Sequence, residues 1–226
     1  MTRTTNARLA GFMFLFYIAI GITSMVLFRQ ATGGAEGTAA TLASLAQHAT
    51  IVRLTALLTL LMFFAAVVLG VTLYALTRDE DRDLAVLALC CRATEGVIGA
   101  VAALSTLDLL SVATASTTAA PEAAAARAFG VGLLQQGDSG TVVAATCFAV
   151  GSTLFCYLFL RARSIPLPLA RLGLVASLLL VAALTFRLLG LLHGPLTYYV
   201  WIPLAVFEVT LALWLLIKGV AAPATR

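Results

Sequence analysis

The chain has 226 residues, of which 62% are hydrophobic and 11% charged, and its mean hydropathy is +1.04. A soluble domain carries about 25% charged residues, so this composition excludes an ordinary water-soluble fold. The formal charge is +4, but the basic residues form no cluster or stripe, which excludes nucleic acid as a partner.

The first apolar run covers residues 9–28, with Arg3 and Arg8 before it and Arg29 after it. About 20 apolar residues cross a hydrocarbon layer of about 30 Å, so this run is long enough to span. It is too long for the core of a signal peptide, and no convincing A-x-A follows it. It therefore reads as a retained first helix. Residues 30–49 are small and polar, hold Gly33, Gly34, Gly37 and His48, and read as a loop. The second span is expected over 51–76, with Arg53 at its edge. Residues 78–83 are all charged and cannot lie in hydrocarbon, so they form a solvated turn.

The third span, over 84–107, contains Arg92 and Glu95. An Ala/Ser/Thr-rich stretch follows, in which Pro121-Glu122 suits a helix start, with proline at the first position and an acid in the first turn. Residues 123–136 are expected to form a short interfacial helix, because their hydrophobicity is modest. The fourth span covers 141–160 and is closed by Arg161 and Arg163, and Pro166 and Pro168 then forbid helix continuation. The fifth span covers 169–192, with Arg187 near its far end, and His193-Gly194-Pro195 turns the chain. The sixth covers 197–217, with Tyr198, Tyr199 and Trp201 at one end and Trp214 and Lys218 at the other, as aromatic belts require.

The expected fold is thus an all-α, integral membrane helical bundle. It has six transmembrane helices, a short interfacial helix in the third loop, and one domain over residues 1–226. Nine Lys and Arg fall at the termini, the second loop and the fourth loop, against three on the other side. The positive-inside rule then places both termini in the cytoplasm. No internal repeat or pair of broken spans marks a transporter of the inverted-repeat kind.

The segments ARLAGFMFLFYI, CRATEGVIGA, LFLRARSIPLPLARLGLVAS and FEVTLALWLLIKG resemble a bacterial multi-pass membrane family known as domain of unknown function 4386. The resemblance runs from about Ala7 to Gly219, and rests most on Arg-x-x-Glu in one span and Phe-Glu in the last. One departure is Leu167-Pro168, where family members often carry a basic or aromatic residue. The resemblance implies a six-helix fold in the bacterial inner membrane and implies no activity.

Three ionisable residues lie deep in the spans. At ~1.5 Å per residue, Glu95 and Glu208 both fall about 16 Å into the membrane, near the midplane, and Arg92 lies one turn from Glu95 on the same helix face. A midplane charge costs at least ~2.5–3.5 kcal/mol, so these positions need a reason. One reason is an ion pair, Arg92 with Glu95 or Glu208, that fixes helix packing. The other is a polar site, which Arg187 joins only if it reaches inward instead of snorkelling to the interface. His48 and His193 share one side of this topology and form a weak metal or haem pair, but each stands alone in a turn. Cys90, Cys91, Cys147 and Cys156 have no metal or disulfide spacing and read as small hydrophobes with free thiols. Cys156 is expected within reach of Cys90 or Cys91.

No nucleophile, zinc, phosphate or dinucleotide motif is present in the sequence, and no cofactor is expected. The leading expectation is a non-catalytic membrane protein that binds an apolar or amphipathic ligand, a lipid or a membrane partner through Arg92, Glu95 and Glu208. A small proton-coupled transporter is the alternative, and an intramembrane enzyme using Glu95 or Glu208 comes third. Beyond the lipid bilayer, a second copy of the chain is an allowed partner.

Overall fold

The computed structural model describes residues 1–33, 37–115, 120–192, 194 and 196–221. Within the helices, the side chains at 120–124, 126–127, 135–138, 196 and 198 lie outside the description. The described residues are helical without strands: α1 (Arg3–Thr32), α2 (Thr38–Gln47), α3 (Ala49–Thr77), α4 (Arg82–Ala115), α5 (Ala120–Ala162), α6 (Leu167–Leu188), α7 (Leu196–Tyr199) and α8 (Trp201–Ile217). Five helices, α1, α3, α4, α5 and α6, are long and apolar enough to cross a membrane, and α8 is a shorter apolar helix. In their apolar stretches only 17–44% of residues are buried, so most of each helix presents side chains such as Phe12, Leu104 and Val175 outward. In water such a surface would aggregate; against lipid it is a solvated face.

Local chemistry sets the helix ends. The Thr2 hydroxyl accepts the Thr5 amide at the start of α1, and Asp81 accepts the Leu84 amide at the start of α4. At the end of α5, Arg163 adopts φ 48, the Ser164 amide reaches the Phe159 carbonyl, and the Arg163 amide reaches that of Leu160. These paired bonds satisfy carbonyls that the helix leaves free. Pro168 in the first turn of α6 completes the reversal.

Three expectations about elements are corrected. Residues 123–136 are not a separate interfacial helix, because α5 runs unbroken from Ala120 to Ala162. Gly137, Ser139 and Gly140 lower helix propensity without breaking it, and proline is absent after Pro121 until the helix has ended. Part of the 30–49 loop is helix α2, which buries Leu42 and Leu45. The final span is also interrupted, since α7 and α8 meet at Val200. Pro203 lacks the amide that would bond to the Tyr199 carbonyl, and its ring crowds that oxygen.

The chain forms two compact units. One comprises Met1–Tyr17, Phe64–Gly96 and Val142–Arg226, the other Ile18–Phe63 and Val97–Thr141. The second has a core of Ala31, Leu42, Leu45, Val52, Leu109, Leu110 and Ala113. There the Ser44 hydroxyl, donating to the Ala31 carbonyl at 2.8 Å, ties α2 to the end of α1. The first has a core rich in leucine and phenylalanine, including Leu73, Phe155, Phe159, Phe207 and Leu211.

Apolar burial does not drive association between helices in lipid, so close packing matters more. In the first unit Gly11 of α1 lies against α8: a Cβ there would stand 2.6 Å from the Ala212 carbonyl oxygen. Charged residues gather at one end of the same unit. Arg161 contacts Glu80 at 2.9 Å and Asp81 at 3.3 Å, and Arg3 contacts Asp79 at 3.5 Å.

Candidate functional site: a buried arginine–carboxylate cluster

Arg92 is 2% exposed, Glu95 5% and Glu208 8%, all within the first unit. Burial this deep for three ionisable side chains requires compensating contacts. The i, i+3 spacing on α4 brings Arg92 Nη1 to 2.9 Å from Glu95 Oε2. This is an ion contact whose geometry falls short of a hydrogen bond, so Oε2 accepts none. The other carboxylate oxygen is better served: the Tyr17 hydroxyl of α1 donates to Oε1 at 2.6 Å.

The guanidinium is also held by aromatic rings. Its carbon lies 4.9 Å from the centroid of Phe148 and 5.4 Å from that of Tyr17. Cation–π contacts of this kind contribute about 2 kcal/mol when desolvated. Small residues let the neighbouring helices close on the arginine stem. A Cβ at Gly70 of α3 would lie 3.1 Å from Arg92 Cβ, and one at Gly151 of α5 would lie 3.5 Å from Arg92 Cγ. Four helices therefore position one side chain.

Arg92 carries five N–H donors in a rigid fork. Its Nε and Nη2 are buried and have no hydrogen-bond partner among the described residues. The residue borders a small pocket whose lining includes Phe14, Ser152, Phe155 and Phe207, and Glu208 lies on the same pocket. The pocket measures about 10 Å³, near the least that admits one water molecule. Arg92 and Glu208 thus share the lining of a small, largely apolar space. Ser152 and Cys156 complete its polar lining.

Depth in the spans points to Arg92, Glu95 and Glu208: the first two pair directly, and Glu208 lines the same pocket as Arg92. Arg187 is half-buried in the last turn of α6 and does not line the pocket. His48 ends α2 with its Nδ1 2.9 Å from the Ser44 carbonyl oxygen, while His193 lies outside the described residues. Among the described residues, no three His, Cys, Asp or Glu side chains gather as a metal site. All four cysteines are free. Cys156 lies against Gly173 of α6, whereas Cys91 lies against Gly151 of α5.

Tyr17 and Phe148 escaped the sequence reading. The signal for Tyr17 was a phenol about 12 Å into the first span, away from the interfacial belt where tyrosine usually sits. Phe148 gave no signal, because one more phenylalanine in an apolar helix is unremarkable.

Neither a curated protein nor a solved structure matches the chain. A family model described as a domain of unknown function, DUF4386, matches residues 9–219. With nearly its whole length matched, the chain belongs to the DUF4386 family.

Proposed function

We propose that this chain is a non-catalytic multi-pass protein of the bacterial cytoplasmic membrane that binds an amphipathic molecule through Arg92, Glu95 and Glu208. The observation that carries the reading is Arg92: a buried guanidinium with two unused donors, bordering a pocket shared with Glu208. Leaving such donors unmade costs about 1–3 kcal/mol each, so a bound acceptor would recover what the fold gives up. We further place six spans in the membrane, with α7 and α8 together forming the last and both termini in the cytoplasm. The ion pairs that join Arg3, the 78–81 turn and Arg161 support a common side for those segments.

The test is to purify the chain from bacterial membranes and identify co-purifying small molecules by mass spectrometry. Wild type should retain an amphipathic compound that Glu208→Leu loses, and equal retention by both would remove the basis of the reading. Reporter tags on both termini should signal the cytoplasm, and opposite signals would overturn the six-span topology.

A second reading is a proton-coupled carrier, favoured by two carboxylates that share one guanidinium. Flux in liposomes, driven by a pH gradient and abolished by Glu208→Gln, would select it. A chain inert in that assay would leave the binding reading alone.

A further inference from the structure

We infer that Arg8, Arg163 and Lys218 form a headgroup site for an anionic phospholipid. The site lies apart from the midplane cluster, and only its place at the inner leaflet rests on the six-span topology proposed above.

Three elements of the first unit meet there. A Cβ at Gly219, just past the end of α8, would lie 3.9 Å from Ala7 Cβ near the start of α1. Slightly further along, the Ala221 amide donates to the Ser164 carbonyl at 2.9 Å, in the turn between α5 and α6. Each of these meeting points has an exposed cation beside it in sequence: Arg8 next to Ala7, Lys218 next to Gly219, and Arg163 next to Ser164. The start of α1, the end of α8 and the α5–α6 turn thus bear one patch of positive charge.

The acids at this end of the unit are engaged by other cations. Asp79 contacts Arg3 and Arg78, while Glu80 and Asp81 contact Arg161. Among the described residues, Arg8, Arg163 and Lys218 form no ion pair. Three uncompensated cations attract a phosphate, which arginine can take through two parallel N–H bonds and lysine as a point charge. A zwitterionic head brings its own cation to the same patch and loses part of that attraction.

Arg163 carries the clearest mark. It adopts φ 48, and every other described residue with a positive φ is a glycine. Glycine is the usual residue at such a helix end, because a side chain there strains the backbone. The paired bonds of this turn use only main-chain atoms, so the fold gains nothing from an arginine in that place. Its charge is the feature left to account for the strain.

Apolar neighbours favour a lipid over an acidic peptide. Ile217, just before Lys218, and Phe12, one turn after Arg8, are both exposed. Trp214, one turn before Lys218, is half-buried, and indole rings settle at headgroup level. Acyl chains would cover the apolar side chains while the phosphate meets the cations. A soluble acidic partner would cover the cations alone.

The delipidated full chain in neutral detergent is titrated with phosphatidylglycerol, phosphatidylcholine or glycerol phosphate, and binding is read by native mass spectrometry. Phosphatidylglycerol should bind at least about tenfold more tightly than phosphatidylcholine, a difference of about 1.4 kcal/mol. Arg8→Gln, Arg163→Gly and Lys218→Gln should each weaken phosphatidylglycerol about fivefold, the worth of one cation at an anionic surface, and leave phosphatidylcholine unchanged. Arg78→Gln removes a cation already beside Asp79 and should keep the full preference. Arg163→Gly relieves the backbone, so its Tm should be no lower than that of wild type, and its loss of lipid cannot come from misfolding. Equal binding of the two lipids by wild type would overturn the site, as would an undiminished preference in Arg163→Gly. An equal loss in Arg78→Gln would overturn it in favour of diffuse surface charge. Glycerol phosphate bound as tightly as phosphatidylglycerol would overturn the lipid in favour of a free phosphate ester. None of these readouts involves Glu208, so the midplane reading stands or falls separately.

Discussion

The hydroxyl of Tyr17 donates to Glu95 Oε1 across 2.6 Å, joining two residues 78 positions apart. That single bond ties α1 to α4 at the point where α4 also carries Arg92. Tyr17→Phe should therefore cost about 1–2 kcal/mol, since a buried carboxylate oxygen loses its donor while ring packing survives. Reversible unfolding in mixed detergent micelles measures it. Unchanged stability would mean that the bond contributes nothing net.

The ion pair makes a sharper case. Arg92→Leu leaves Glu95 and Glu208 buried without their shared cation, and should cost about 3–5 kcal/mol. Adding Glu95→Leu to Arg92→Leu should restore at least about 1 kcal/mol, because one stranded charge is removed with its partner. Strict additivity of the two substitutions in a double-mutant cycle would show them uncoupled.

Two glycines should respond in opposite ways. A Cβ at Gly173 would run into the Phe207 ring and lie 2.8 Å from Cys156 Sγ, so Gly173→Ala should lose about 1–3 kcal/mol through overpacking. At Gly99 a Cβ would meet no described atom within 4 Å, and Gly99→Ala should gain up to about 1 kcal/mol of helix propensity. Thermal unfolding of the two variants side by side decides it, and equal shifts would contradict the packing.

Thiol reactivity should follow exposure. Cys90 is exposed and Cys156 is 2% exposed against α6. A lipid-soluble maleimide should modify Cys90 first, and Cys156 only after denaturation, with each site followed by peptide mass spectrometry. Early modification of Cys156 would place it on an open face. A Cys156 bridge to Cys90 or Cys91 would contradict its packing against Gly173.

How much of this was legible follows from what hydropathy encodes. Length and apolar content place the long helices, because a bilayer imposes one spacing on every span. They do not encode small-residue helices. The region from Gly37 to His48 has the composition of a loop, yet α2 forms because Leu42 and Leu45 find a core contributed by distant residues. The continuity of α5 was hidden likewise, since Gly137 and Gly140 read as a boundary when only propensity is weighed. At the site, depth singled out Arg92, Glu95 and Glu208, because charge at midplane is costly wherever it occurs. It could not find Tyr17, whose role depends on which helix lies beside α4. Helix adjacency is tertiary information that one sequence does not carry.

Gly11, pressed against Ala212, also bears on how the protein is made. Synthesis delivers α1 to the membrane first and α8 last. The Gly11 face of α1 is therefore uncovered until α8 arrives. The amide of Ala221, which donates to the Ser164 carbonyl at 2.9 Å, is among the last contacts to form. A chain stopped before α8 thus leaves the membrane machinery with an incomplete first helix, and its Arg92 never meets Glu208.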